Sequence, residues 1–243
     1  MAKLTKQESK MHVKVMDLVH SDRSLTMDEK LFILSNYQES FGNTNSLAGA
    51  FFTPYGLSRD TMIEVDDGAV IIDLCAGIGS LTLAALNQCN PSAIISIELN
   101  SDYITVGKRV APESCWVHDD VFNAINELSM MGKDAIVISN PPFGQIGTGS
   151  GYSGDYSGGD FEFKIIEAAR QISHRGVFII PQCSTPFKYS GNRCFEKTSS
   201  SKYERFNTQT KLEFEFNSGI DTSVYIKEWH GVSPMCEIVN VTY

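Results

Sequence analysis

The chain has 243 residues, 42% of them hydrophobic, and a formal net charge of −9. That length fits one α/β sandwich with a helical extension, and the apolar content is that of a globular protein and not of a disordered one. No apolar run approaches a membrane span and Met1–Lys10 has no hydrophobic signal core, so a cytoplasmic protein without membrane contact is expected.

From the amino end, Met11, Val15, Leu18 and Val19 recur at helical spacing within Ser9–His20. Thr26-Met27-Asp28-Glu29 is a capping-box pattern ahead of Leu31–Leu34. Residues 1–48 are therefore expected to form a helical extension, packed on the domain at 49–243 or serving as a dimer surface. Phe41–Ser46 is a polar break leading into Phe51-Phe52-Thr53-Pro54.

Val70–Gly79 reads as strand, turn and helix start, and Ser80–Leu86 continues as an apolar helix. Gly77 and Gly79 permit positive φ and close approach of a ligand to the backbone. Asp73, at the strand tip, is a candidate acceptor for a cofactor ammonium. A second strand, Ala93–Ile97, ends in Glu98, 25 residues after Asp73. That is near the spacing at which an acid grips ribose hydroxyls in βαβ units. Ser114–His118 is a third strand, ending in Asp119 and Asp120, although paired aspartates are also ordinary turn chemistry.

Asp134–Ser139 reads as a buried parallel strand, stopped abruptly by Asn140-Pro141-Pro142-Phe143. Open α/β sheets place ligands at such carboxyl ends. The Asn140 side-chain oxygen and the Pro141 carbonyl can both accept from an exocyclic NH2, and the Phe143 ring can stack on the base that carries it. Residues 144–159 follow as a low-complexity loop with seven glycines, a candidate lid, in which Tyr152 and Tyr156 are candidate base-stacking rings. Asp160 is the expected cap of a helix over Phe161–Ile172, and Gly176–Pro181 is the fifth strand. Lys211–Phe216 and Cys236–Tyr243 alternate as two further strands.

From Arg170 to Lys211, eight basic residues against Glu196 and Glu204 leave a local charge of +6. Phe178, Phe187, Tyr189, Phe195, Tyr203 and Phe206 are interleaved with them, a composition that holds flexible nucleic acid. The six cysteines form no CxxC pair, so reduced thiols are expected, with neither a zinc site nor a disulfide framework.

Asn140–Phe143 resembles the (D/N/S)PP(Y/F/W) motif of amino-methyltransferases, which methylate adenine N6 or cytosine N4. With Phe51–Pro54, Asp73–Gly79, Glu98 and Asp120 in this order, the chain resembles the S-adenosylmethionine-dependent class I methyltransferases over roughly residues 50–243. It is most similar to gamma-type N6-adenine DNA enzymes of the orphan kind carried by phages and plasmids. The resemblance implies a Rossmann-like αβα sandwich around a mostly parallel seven-stranded sheet of order 3-2-1-4-5-7-6, with an antiparallel terminal strand. It implies S-adenosylmethionine as cofactor, contacted by Phe52, Thr53, Asp73, Cys75, Ala76, Gly77, Gly79, Glu98, Leu99, Asp120, Val121 and Asn140. It makes Asn140, Pro141, Pro142 and Phe143 the catalytic set. It further implies a nucleic-acid substrate, DNA ahead of RNA, with the option of a homodimer or partner subunit; the target-recognition domain that gamma-type enzymes of restriction systems usually append after the last strand is not expected here. Gly144 directly after the motif is also similar to RNA adenine-N6 enzymes. A non-catalytic binding protein of this fold and a protein glutamine methyltransferase are the remaining alternatives.

Overall fold

The computed structural model describes residues 5–38, 51–131, 133–147, 151–216, 218–230 and 232–243. Two helices lead, α1 (Lys6–Val19) and α2 (Met27–Asn36), each opened by a capping box, Thr5 with Glu8 and Thr26 with Glu29. The boundary expected at residue 48 and the break at 41–46 lie outside the described residues.

The α/β unit then runs α3 (Tyr55–Thr61), β1 (Val70–Leu74), α4 (Ser80–Gln88), β2 (Ala93–Glu98), α5 (Ser101–Val110), β3 (Cys115–His118), α6 (Val121–Leu128) and β4 (Ala135–Ser139). It continues as α7 (Phe161–Ala169), β5 (Ser173–Pro181), β6 (Phe187–Lys188), β7 (Glu196–Lys197), α8 (Ser201–Thr210) and β8 (Cys236–Thr242). Six strands make the main sheet in the order β3-β2-β1-β4-β5-β8, while β6 and β7 form a separate short hairpin. All main-sheet pairs are parallel except β5 with β8.

Apolar residues cover both faces because successive strand side chains point to opposite sides. Ile72, Leu74, Val137, Phe178 and Ile180 pack towards α6, α7 and α8, with Phe122, Phe163 and Phe206. Ile71, Ile136, Ile138, Val177 and Ile179 pack the other way, against Leu57 of α3 and Leu81 of α4. Val15, Val19, Ile33 and Leu34 of the leading helices share a third cluster with Leu83 of α4 and with Tyr103, Val106 and Val110 of α5. The extension therefore packs on the domain.

Two elements differ from their sequence reading. Lys211–Phe216 alternates like a strand but meets the sheet through a single bridge, Glu215 to Asn240 of β8. The described sheet thus has six strands, with the seventh position reduced to one paired residue on the free edge of β8. Helix α7 ends at Ala169 and not at Ile172. The N–H groups of Arg170, Gln171 and Ile172 bond three residues back, which tightens the turn and lets β5 begin early at Ser173.

The strand order reverses between β1 and β4. The carboxyl ends of those two strands flank the crevice where doubly wound sheets bind ligands.

Candidate active site

The site is built from four strand ends. After β1, Cys75 (φ 61°), Gly77 (φ 57°) and Gly79 (φ 89°) all adopt left-handed backbone. A Cβ at Gly77 would find only ordinary contact with the Phe52 ring, so its backbone angle is what calls for glycine there. After β2, Glu98 straps two turns together. One of its oxygens accepts from Gly77 N at 2.8 Å and the other from Asn100 N at 2.8 Å. Burial raises its pKa, with the backbone N–H groups opposing that. Asn100 in turn caps α5 through Asp102 N. After β3, Asp119 accepts from Asp120 N, and Asp120 caps α6 by accepting from Phe122 N at 2.9 Å.

After β4 stands Asn140. Its Nδ2 donates to Phe51 O at 3.0 Å and to Thr53 Oγ1 at 2.8 Å. A backbone carbonyl is an acceptor only, so this pairing fixes which way the amide points. Its Oδ1 is buried and has no hydrogen-bond partner among the described residues. Buried polar atoms are nearly always paired, and an orphan acceptor at a ligand crevice marks a place for a donor.

These ends enclose a cavity of about 430 Å³. Of the residues expected to form the site, Phe52, Cys75, Gly77, Glu98, Leu99, Asp120, Val121, Asn140 and Pro142 line it. Thr53 and Ala76 line a small recess that also touches Asn140. Gly79, Pro141 and Phe143 lie outside the lining. The Phe143 ring instead packs on Phe51, with centroids 5.8 Å apart.

Asp73 is also outside the lining, contrary to the expectation that it receives an ammonium. It is fully buried beneath the turn, where its Oδ2 accepts from Thr82 Oγ1 at 2.7 Å and its Oδ1 has no partner among the described residues. Burial pushes its pKa up to about 7.

The glycine loop is anchored by α7. Buried Glu167 accepts from Asp155 N at 2.7 Å, from Tyr156 N at 3.0 Å and from the Tyr152 hydroxyl. Tyr156 is itself buried between Phe163 and Phe206 and donates to Asp160 at 3.0 Å, so it offers no stacking face to a base. The Asp160 carboxylate serves Tyr156 and Lys202 and makes no cap bond to α7. Three of the eight cations behind the local charge of +6 are answered across the fold. Arg170 pairs with Asp155 and Glu167, Arg175 with Glu64 and Asp66, and Lys202 with Asp160.

Sequence reasoning missed Glu162. It is 1% exposed; Gly144 N, just past the Asn-Pro-Pro-Phe turn, donates to it at 2.9 Å, and Ser184 Oγ donates to its other oxygen at 2.9 Å. An acid on the apolar face of Phe161–Ala169 was the available signal. Glu162→Ala is expected to lower turnover about 10-fold or more, since it frees the Asn-Pro-Pro-Phe loop and leaves a part-buried N–H unpaired. Glu162→Gln keeps one acceptor for Gly144 and one donor for Ser184, and is expected to restore most of the rate. Equal rates for the Ala variant and wild type would remove Glu162 from the positioning of this loop.

No protein-family model and no curated protein matches the chain. Solved structures do. A protein assigned as an RNA methyltransferase from Pyrococcus horikoshii superposes with a TM-score of 0.51 at 17% identity, covering 89% of this chain and 97% of its own. A protein assigned as a SAM-dependent methyltransferase from Streptococcus mutans gives 0.50 at 14% identity, over 83% of this chain and 51% of its own. The fold is the Rossmann-like methyltransferase sandwich.

Proposed function

We propose that the protein is an S-adenosylmethionine-dependent amino-methyltransferase that modifies adenine N6 in DNA. The observation carrying this reading is the buried Oδ1 of Asn140, without a partner among the described residues and aimed by two hydrogen bonds from its own Nδ2. An ionised carboxylate has no proton to give such an acceptor and a hydroxyl has one, whereas an NH2 has two, enough for Oδ1 and for a carbonyl of the adjoining Pro-Pro turn.

The cofactor fits the residues present. The turn at Gly77 and the Phe52 ring form a floor, and Leu99 offers an apolar contact. Glu98, Asp102, Asp119 and Asp120 make the lining rich in acceptors, which suits a cationic ligand with ribose hydroxyls and an amine. When bound, S-adenosylmethionine supplies an electrophilic methyl group. The chain's part is to hold the target amine: Asn140 Oδ1 and the Pro141 carbonyl accept its two N–H bonds and draw the nitrogen towards tetrahedral geometry. The amide needs no titration for this, so orientation and fixed dipoles carry the rate.

RNA is the second reading. It is favoured by Gly144 directly after the motif and by the description of the Pyrococcus structure. Matched DNA and RNA oligomers incubated with the protein and labelled S-adenosylmethionine, then digested to nucleosides, separate the two. N6-methyladenosine from RNA alone would move the substrate to RNA, and no methylated base from either polymer would overturn the proposal.

The cofactor placement has its own check. Glu98→Ala removes acceptors that face the cavity and also the strap between Gly77 and Asn100. Losing a hydrogen bond to a charged group costs about 1.5–3 kcal/mol, so S-adenosylmethionine affinity is expected to fall roughly 10- to 150-fold. Wild-type affinity by calorimetric titration would contradict this placement.

A further inference from the structure

The β6–β7 hairpin is not absorbed by the site described above, and its surface is unusual for this chain. Phe195 is 38% exposed and is the aromatic ring among the exposed large hydrophobic residues. It does not stand alone. Its ring lies 4.8 Å from Phe216 and 5.7 Å from buried Phe187, and Phe216 is backed by Tyr189 at 4.9 Å. The hairpin is held from beneath. Buried Glu237 of β8 accepts from Tyr189 N at 2.8 Å and Ser190 N at 3.0 Å, and Asp221 accepts from Gly191 N at 2.9 Å. An aromatic ring kept partly exposed on a braced support is a stacking platform that loses little freedom on binding.

The charges around it differ from three of those elsewhere in the basic segment. Arg170, Arg175 and Lys202 are neutralised by acids from other elements. Lys188, Arg193 and Lys197 are exposed and make no ion pair with any described residue. Residues 187–198 carry these three cations and Glu196 as their one acid, in a chain of net charge −9. A local cationic surface with a stacking ring complements a polyanion with flat bases.

The hairpin is also coupled to the catalytic loop. It is closed at its base by Thr198 N donating to Pro186 O at 2.8 Å. Two residues before that base, Ser184 shares Glu162 with Gly144.

We propose that the β6–β7 hairpin is a contact surface for a single-stranded stretch of nucleic acid, with a base stacked on Phe195 and phosphates held by Lys188, Arg193 and Lys197. This rests on the nucleic-acid reading of the active site and extends it to nucleotides flanking the target. The test uses the full chain and labelled single-stranded RNA and DNA, with binding followed by anisotropy across a salt series. Phe195→Ala is expected to weaken binding roughly 5- to 150-fold with an unchanged salt slope, and Phe195→Tyr to bind as wild type. Combined Lys188→Gln, Arg193→Gln and Lys197→Gln substitution is expected to lower the salt slope by about 2, at roughly 0.7 per phosphate contact on a single strand. The charge variant and Phe195→Tyr should keep the wild-type Tm, while Phe195→Ala gives up ring contacts with Phe187 and Phe216 and is expected to lower it slightly, with the protein still folded at the assay temperature. Wild-type affinity and slope in every variant would overturn the hairpin proposal and leave the active-site reading intact. Failure of the wild-type protein to bind either single strand would overturn the hairpin proposal alone, and absence of a methylated base from both polymers would overturn the active-site reading on which it rests.

Discussion

Asn140→Ala is expected to abolish methyl transfer, lowering turnover by about 10²–10³-fold or more, the scale on which a single aimed polar group at a reacting centre is felt. The substitution removes the acceptor at Oδ1 and leaves Phe51 O and Thr53 Oγ1 without the Nδ2 donor. The second loss costs about 1–3 kcal/mol of stability, so the Tm is expected to drop modestly while the protein stays folded. S-adenosylmethionine affinity should fall far less than turnover, because the acceptors assigned to the cofactor, Glu98, Asp102, Asp119 and Asp120, lie at the other strand ends, although Asn140 also borders the cavity and steadies the segment that carries Phe52. Asn140→Asp is a sharper probe than alanine. A carboxylate puts an oxygen against Phe51 O, where two acceptors repel, so the side chain must rotate away from its aimed position. Aspartate should therefore fail here, even though it occurs at the corresponding place in other sequences carrying such a motif. Single-turnover rates within a few-fold of wild type for Asn140→Ala would end the amine-holding mechanism. Near-wild-type rates for Asn140→Asp alone would show that Nδ2 does not aim the group.

The parallel strands were legible because they are covered on both faces and so appear as unbroken apolar runs, Val70–Ile72 and Ala135–Ile138 among them. The turn after β1 and the stop after β4 were legible because glycine and proline act through the backbone itself. Side-chain direction was harder. Asp73 looked like a cofactor ligand from its position at a strand tip. Yet alternation places it with Ile71, on the α4 side, while Ile72 and Leu74 face the other way. That period of two was available and outweighs position along the strand. Partners distant in sequence were not legible at all. Arg175 meets Glu64 and Asp66 more than a hundred residues away, so a local count of charges overstated the free cationic surface. Tyr156 lies among glycines that suggest an open loop, but Glu167 and Asp160 draw it inward. Lys211–Phe216 has the pattern of a strand, but pairing needs a neighbour along its length, and only Glu215 finds one.

Asp73 is expected to make the protein less stable as pH rises from about 4 to 7. Its ordinary pKa is 3.8 and burial lifts it to about 7 in the folded chain. Between those values the native state holds a proton that the unfolded state has released. Stability rises with pH only where the unfolded state binds more protons, so here it falls, by about 4 kcal/mol at the most. The hydrogen-bond chain behind Asp73 points the same way. Thr82 Oγ1, Ser96 Oγ and Ser114 Oγ are linked in sequence at 2.8 and 2.7 Å, and Ser114 reaches Ile94 O at 3.3 Å. Each hydroxyl has one proton to donate. With Asp73 ionised, Thr82 donates to it, Ser96 to Thr82 and Ser114 to Ser96, and the bond to Ile94 O is not made. With Asp73 protonated, every donation reverses and the chain ends satisfied on Ile94 O. Asp73→Asn can donate in that second direction at every pH, so the part of the fall that comes from Asp73 should be absent from it. Glu98 and Glu162 are also lifted by burial and contribute a slope of the same sign in both proteins. The quantity to compare is therefore the difference between wild type and Asp73→Asn, from denaturant unfolding at pH 4.5 and pH 8. A difference that stays constant across that interval would mean that Asp73 titrates at its ordinary value and that the buried chain runs in one direction only.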